Sequence, residues 1–150
     1  MQVLNMSGMY LSEGALQQLH LGMVSFWREL RVLDLTACNA SRMACDYLAV
    51  GLPHCTKLEA LHLGHNPIGR GMVTLAPALG SCPALRLLYL GDVALDDLGL
   101  QALARVLPNI PRLSTLDLSH VSAEVGSLTC LHAALSSCAV RRRKERRCRT

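Results

Sequence analysis

His62, His65, Asp92 and His120 are the side chains on which chemistry would most readily be built, because imidazole and carboxylate together suit zinc. Their spacing argues for something else. The segments that carry them put His120 two strands away from His62, and neighbouring strands lie about 4.8 Å apart. No second set of residues is patterned to orient such ligands. These residues therefore read as part of a mixed polar binding face, with no metal and no cofactor assigned. Nucleophilic catalysis has no better footing: Cys38 and Cys130 lack the glycine-framed elbow that presents a nucleophile. The stretch "GHNPIGRGM" from Gly64 has the glycines of a phosphate loop but not the Lys-Ser/Thr that must follow them, so it reads as turn chemistry. No catalytic residue is assigned, and the chain is expected not to be an enzyme.

The elements that must hold these residues are legible in a repeat. "LRVLDLTAC" begins at Leu30, "LEALHLGHN" at Leu58, "LRLLYLGD" at Leu85 and "LSTLDLSHV" at Leu113, with a weaker copy, "MQVLNMSGM", at Met1. Each carries the apolar/polar alternation of a half-buried strand, and the near-constant interval makes the chain an internal repeat. Leu33, Leu35, Leu61, Leu63, Leu88, Leu90, Leu116 and Leu118 should point into the core. The outward positions read Asn5, Asp34, His62, Tyr89 and Asp117, and three residues later Gly8, Ala37, His65, Asp92 and His120. Asp34, His62, Tyr89, Asp117, His65, Asp92 and His120 are the candidate partner-binding residues, Tyr89 foremost, since an exposed ring gives apolar contact at small entropic loss.

Helical spacing follows each strand. Asp96 caps a helix whose Leu100, Leu103 and Leu107 recur at helical intervals up to Pro108, and Ser41 stands before Ala44, Leu48 and Leu52 in the same way. Pro77 falls inside the third helix, where its missing N–H predicts a kinked or short 3₁₀ segment. One strand, turn and helix cannot bury its apolar stripe alone, and stacking neighbours does so. A composition 51% apolar yet only 3% aromatic fits thin layers filled by leucine and alanine. Trp27, beside Phe26, is expected to pack between the first two repeats.

Leucines at repeat positions 1, 4 and 6, Cys38 and Asn66 at position 9, and a helix ending near position 24 resemble the ribonuclease-inhibitor type of leucine-rich repeat. "LGSCPALRLL" and "LPHCTKLEAL" are most similar to the repeats of NOD-like receptors. The resemblance covers residues 1 to about 140. It implies an α/β solenoid of about five repeats with a curved parallel sheet inside and helices on the convex side. It also implies a protein-protein interaction module working through the concave face, with an unidentified protein partner, in a fragment or isoform of an innate immune regulator. Two other members of the same repeat class stand as alternatives. A Ran-type GTPase-activating protein would present a finger-like arginine or asparagine, Arg70 being the only arginine in a strand-to-helix loop, and would carry an acidic tail where this chain has a basic one. A ubiquitin-ligase substrate receptor would need an F-box, and nothing here resembles one. The position-9 column, Met9, Cys38, Asn66, Val93 and Val121, departs from the family, since only Asn66 donates well and Cys38 weakly.

Neither end shows a polar cap, so the chain reads as a piece of a longer array, and its ends also offer a route to self-association. Seven cysteines are an odd number without zinc spacing. Cys55, Cys82 and Cys138 share a repeat position suited to buried thiols, which points to a reducing, cytoplasmic setting. "VGSLTCLHAALSSCAV" before "RRRK" is too short for the roughly 20 apolar residues of a membrane span. The last ten residues, 141–150, hold seven of the fifteen basic residues and read as a disordered tail, with nuclear import as its functional reading. No aromatic interleaves with these arginines, and nucleic acid is not expected as a partner.

Overall fold

The computed structural model describes residues 1–121 and 125–137. The expected positions of Cys138 and of the basic stretch 141–150 lie outside the described residues. Five three-residue strands, β1 (Val3–Asn5), β2 (Val32–Asp34), β3 (Ala60–His62), β4 (Leu87–Tyr89) and β5 (Thr115–Asp117), form one sheet in chain order, every pair parallel. Five helices alternate with them: α1 (Glu13–Ser25), α2 (Arg42–Gly51), α3 (Gly71–Gly80), α4 (Asp97–Val106) and α5 (Val125–Ser137). Each helix packs on the next, and their inner stripes join the strand leucines in a single core. The architecture is an α/β chain consistent with a leucine-rich-repeat-like solenoid.

The register brings equivalent repeat positions side by side, so that Leu33, Leu61 and Leu88 stack without exposure. Main-chain pairing continues past the short strands. Leu35 and Ala37 donate to His62 and Gly64, Leu63 and His65 to Tyr89 and Gly91, and Leu90 and Asp92 to Asp117 and Ser119, all at 2.8–3.0 Å. Those extra rungs hold a left-handed column, with φ of 54° at Ala37, 56° at His65, 54° at Asp92 and 59° at His120. Only Gly8 fills that column with the residue type that suits it, so at Ala37, His65 and Asp92 the interstrand bond offsets a backbone cost of about 1 kcal/mol.

Three expectations are corrected. Leu116 and Leu118 are only partly buried, because among the described residues no strand covers the far side of β5. Pro77 does not break α3, which runs as an α-helix through Gly80. Pro77 and Val73, whose carbonyl loses its helical donor, both lie on the exposed flank, where solvent access removes most of the penalty. Ser41 occupies the cap position of α2 but makes no side-chain cap bond, whereas Asp96 caps α4 through Gly99 N–H at 2.8 Å. The aromatic pair divides: Trp27 lies against the core over Gly22, and Phe26 is exposed.

Candidate functional site

The face of the sheet away from the helices carries the outward column Asn5, Asp34, His62, Tyr89 and Asp117, brought into line by the parallel register. The column is not uniform. Asn5, Asp34 and Asp117 each fold Oδ1 back onto the N–H two residues ahead, at Ser7, Thr36 and Ser119, over 2.8–2.9 Å. These Asx turns end the strands, so the two carboxylates have a structural duty that leaves Oδ2 open. His62 and Tyr89 make no such bond. Their rings lie 4.4 Å apart at 22°, a separation close to the strand spacing, so they overlap face to face.

The next outward position holds Gly64 and Gly91, where neighbouring atoms come close: a Cβ on Gly64 would stand 3.1 Å from Gly91 O. A Cβ on Gly91 would stand 2.7 Å from Ser119 Oγ and 3.7 Å from both carboxylate oxygens of Asp117. The Asp117 carboxylate and Ser119 Oγ therefore stand over Gly91. At the turn end, His65 Nδ1 stands 3.5 Å from Asp92 Oδ2, with both side chains largely exposed. His65, Asp92 and His120 thus belong to the left-handed turn column at the rim rather than to the strands. At the opposite rim Arg31 pairs with Glu59, and Lys57 pairs with Glu29 at 2.6 Å, a contact that draws the Glu29 carboxyl below its usual value. Residue types alone did not mark this rim pairing; reading repeat positions across neighbours would have found it.

Asn66 does more than its column suggested. Its Oδ1 accepts from Cys38 and Ala40 N–H at 3.0 and 2.8 Å, and Nδ2 reaches the carbonyls of Leu35, Leu63 and Gly64 at 2.8–3.1 Å. One amide thus serves two turns, its own and that of the preceding repeat. Cys38 continues the ladder by donating to the Met6 carbonyl at 2.9 Å. Cys45, Cys55 and Cys82 are buried, and burial pushes their thiols up to about 12, 11 and 12. Arg70 is held through Nε by Asp96 Oδ2 at 2.9 Å. Among the described residues no group of three or more His, Cys, Asp or Glu is placed to hold a metal ion, and no helix is long and apolar enough to cross a membrane.

No protein-family model matches the chain. Against curated proteins it is 33% identical over 119 residues to Transforming growth factor beta activator LRRC32 of Mus musculus, covering 79% of this chain and 17% of that protein. It is 41% identical over 69 residues to Nucleotide-binding oligomerization domain-containing protein 2 of Bos taurus, covering 45% of this chain and 6% of that protein. The chain thus spans less than a fifth of the length of either relative. Its fold matches a Caenorhabditis elegans tropomodulin C-terminal domain with a TM-score of 0.73 at 12% identity, covering 91% of this chain and 83% of that one. The leiomodin-1 actin-binding site 2 follows with a TM-score of 0.69 at 18% identity, covering 91% and 80%. The sequence likenesses are to leucine-rich repeat proteins, and the structural ones establish the fold.

Proposed function

We propose that this chain is a protein-recognition module that engages its partner on the open, concave face of the sheet, with His62 and Tyr89 at the centre of the contact. The observation that carries the reading is the His62–Tyr89 stack itself: two partly exposed rings held by main-chain register, flanked by glycines and not committed to the turns. Preorganised aromatic surface of this kind is what interface hot spots use. A binding role is preferred to a catalytic one because Cys45, Cys55 and Cys82 are buried with raised thiols and Arg70 is tied to Asp96. The likeness to Nucleotide-binding oligomerization domain-containing protein 2 supports a role in an innate immune regulator of the NOD-like type, and the free buried thiols support a reducing, cytoplasmic setting.

The test is site-specific photocrosslinking. A benzoylphenylalanine at position 89 should capture one protein reproducibly, and the same group at position 73, beside the shallow groove between α3 and α4, should not. Equal capture from both positions, or capture from position 73 alone, would remove the open face as the binding surface.

A further inference from the structure

We infer that the partner lays an extended segment across the open face at right angles to the strands, with two basic side chains four residues apart over Asp34 and Asp117 and an apolar side chain between them over the His62–Tyr89 stack. This rests on the open-face reading and adds the partner's chemistry and direction to it. The register sets Asp34, His62, Tyr89 and Asp117 in one row on four adjacent strands, all of them partly exposed. Three strand spacings separate the two aspartates, about 14 Å along the sheet. Each aspartate accepts the N–H two residues ahead through Oδ1 at 2.9 Å, which fixes the carboxylate and leaves Oδ2 to accept from a partner. Among the described residues neither is ion-paired, and the outward positions of β1–β5 hold no Lys, Arg or Glu. The face is thus acidic at two points, although the chain as a whole carries a net charge of +4.

Those two points bracket an apolar centre. The His62 and Tyr89 rings overlap at 4.4 Å, and Val32 and Leu87, the outward residues that precede Asp34 and Tyr89 on their strands, are partly exposed in the same face. The complement of this row is a cation, an apolar group and a second cation in line. An extended chain supplies it, because residues i, i+2 and i+4 project from one side and span about 13 Å. A helix does not, since its residues i and i+4 stand only about 6 Å apart.

The experiment titrates the full chain with three blocked peptides and follows backbone amide shifts by NMR: Gly-Arg-Ser-Leu-Ser-Arg-Gly, its isomer Gly-Ser-Arg-Leu-Arg-Ser-Gly, and Gly-Glu-Ser-Leu-Ser-Glu-Gly. Thr36 and Ser119 are the reporters, since the N–H of each is bonded to one of the two carboxylates. The first peptide should shift both reporters with a single Kd and bind about threefold to fivefold more tightly than its isomer, whose arginines span too little to reach both aspartates. The glutamate peptide should shift neither. Asp34→Asn and Asp117→Asn keep the Asx turns, as Asn5 does in β1, and each should remove most of the first peptide's advantage. Equal binding of the two arginine peptides, a shift confined to one reporter, an advantage untouched by either variant, or no saturable shift at millimolar peptide would overturn the inference. A crosslinked partner whose binding needs Tyr89 but ignores Asp34→Asn and Asp117→Asn together would overturn it while leaving the open-face reading standing.

Discussion

Cys38 and Asn66 are joined across adjacent repeats: the main-chain N–H of Cys38 donates to Asn66 Oδ1 at 3.0 Å, while the Cys38 thiol turns the other way and donates to the Met6 carbonyl at 2.9 Å. Two residues at one repeat position thus tie three successive turns together.

Asn66→Ala leaves two buried N–H groups and the Leu35, Leu63 and Gly64 carbonyls without their amide partner. At about 1–3 kcal/mol for each buried group left unsatisfied, the loss should be about 3 kcal/mol or more. Urea unfolding measures it, and a loss below about 1 kcal/mol would contradict the double-turn role.

Leu88→Ala removes a fully buried side chain from a strand covered on both sides and should cost about 2–5 kcal/mol. Leu116→Ala, in the same register position but only partly buried, should cost less than half as much. Equal losses would show that β5 is covered in solution as β4 is.

Asp34→Asn should be close to neutral for stability, because an amide oxygen can accept from Thr36 N–H as the carboxylate does. Asp34→Ala should cost about 1 kcal/mol through loss of that bond. Thermal unfolding of the pair separates turn duty from charge, and equal melting temperatures would sink the Asx-turn assignment.

The raised thiols of Cys45, Cys55 and Cys82 favour the protonated form in the folded state. Their burial therefore contributes fully below the ordinary thiol value near 9.0, and that contribution is lost as pH rises through 11–12, where the unfolded chain has already released its protons. Unfolding free energy should be flat from neutral pH to about 9.0 and fall between there and 11–12. Under native conditions near pH 8, alkylation should reach exposed Cys130 well before these three. Labelling of all four at one rate would refute the assignment.

The strands, their parallel order and the leucine layers were legible because a repeat near 28 residues leaves one consistent stacking. Asp96 was legible as a cap for the same reason: it stands at the start of an unbroken helical spacing. Pro77 was misread because the penalty depends on which flank of the helix its orphaned carbonyl faces, a matter of packing. The turn bonds of Asp34 and Asp117 were not legible, because a carboxylate that caps a turn and one that faces solvent are the same letter. The pairing of His62 with Tyr89 was implicit in the repeat register, but the ring overlap follows from two rotamers that the order of residues does not state. The left-handed backbone at His65, Asp92 and His120 was not legible, because glycine is the residue expected at such positions.

The central claim is most directly tested by the affinity of the crosslinked partner for a variant carrying His62→Ala and Tyr89→Ala together, compared with Val73→Ala on the opposite side. Both rings are partly exposed and free of turn bonds, so the double variant should unfold within about 1 kcal/mol of the parent. We predict that it loses at least about 2 kcal/mol of binding, roughly a thirtyfold rise in Kd, while Val73→Ala binds as the parent does. A folded double variant that binds with undiminished affinity would contradict the account.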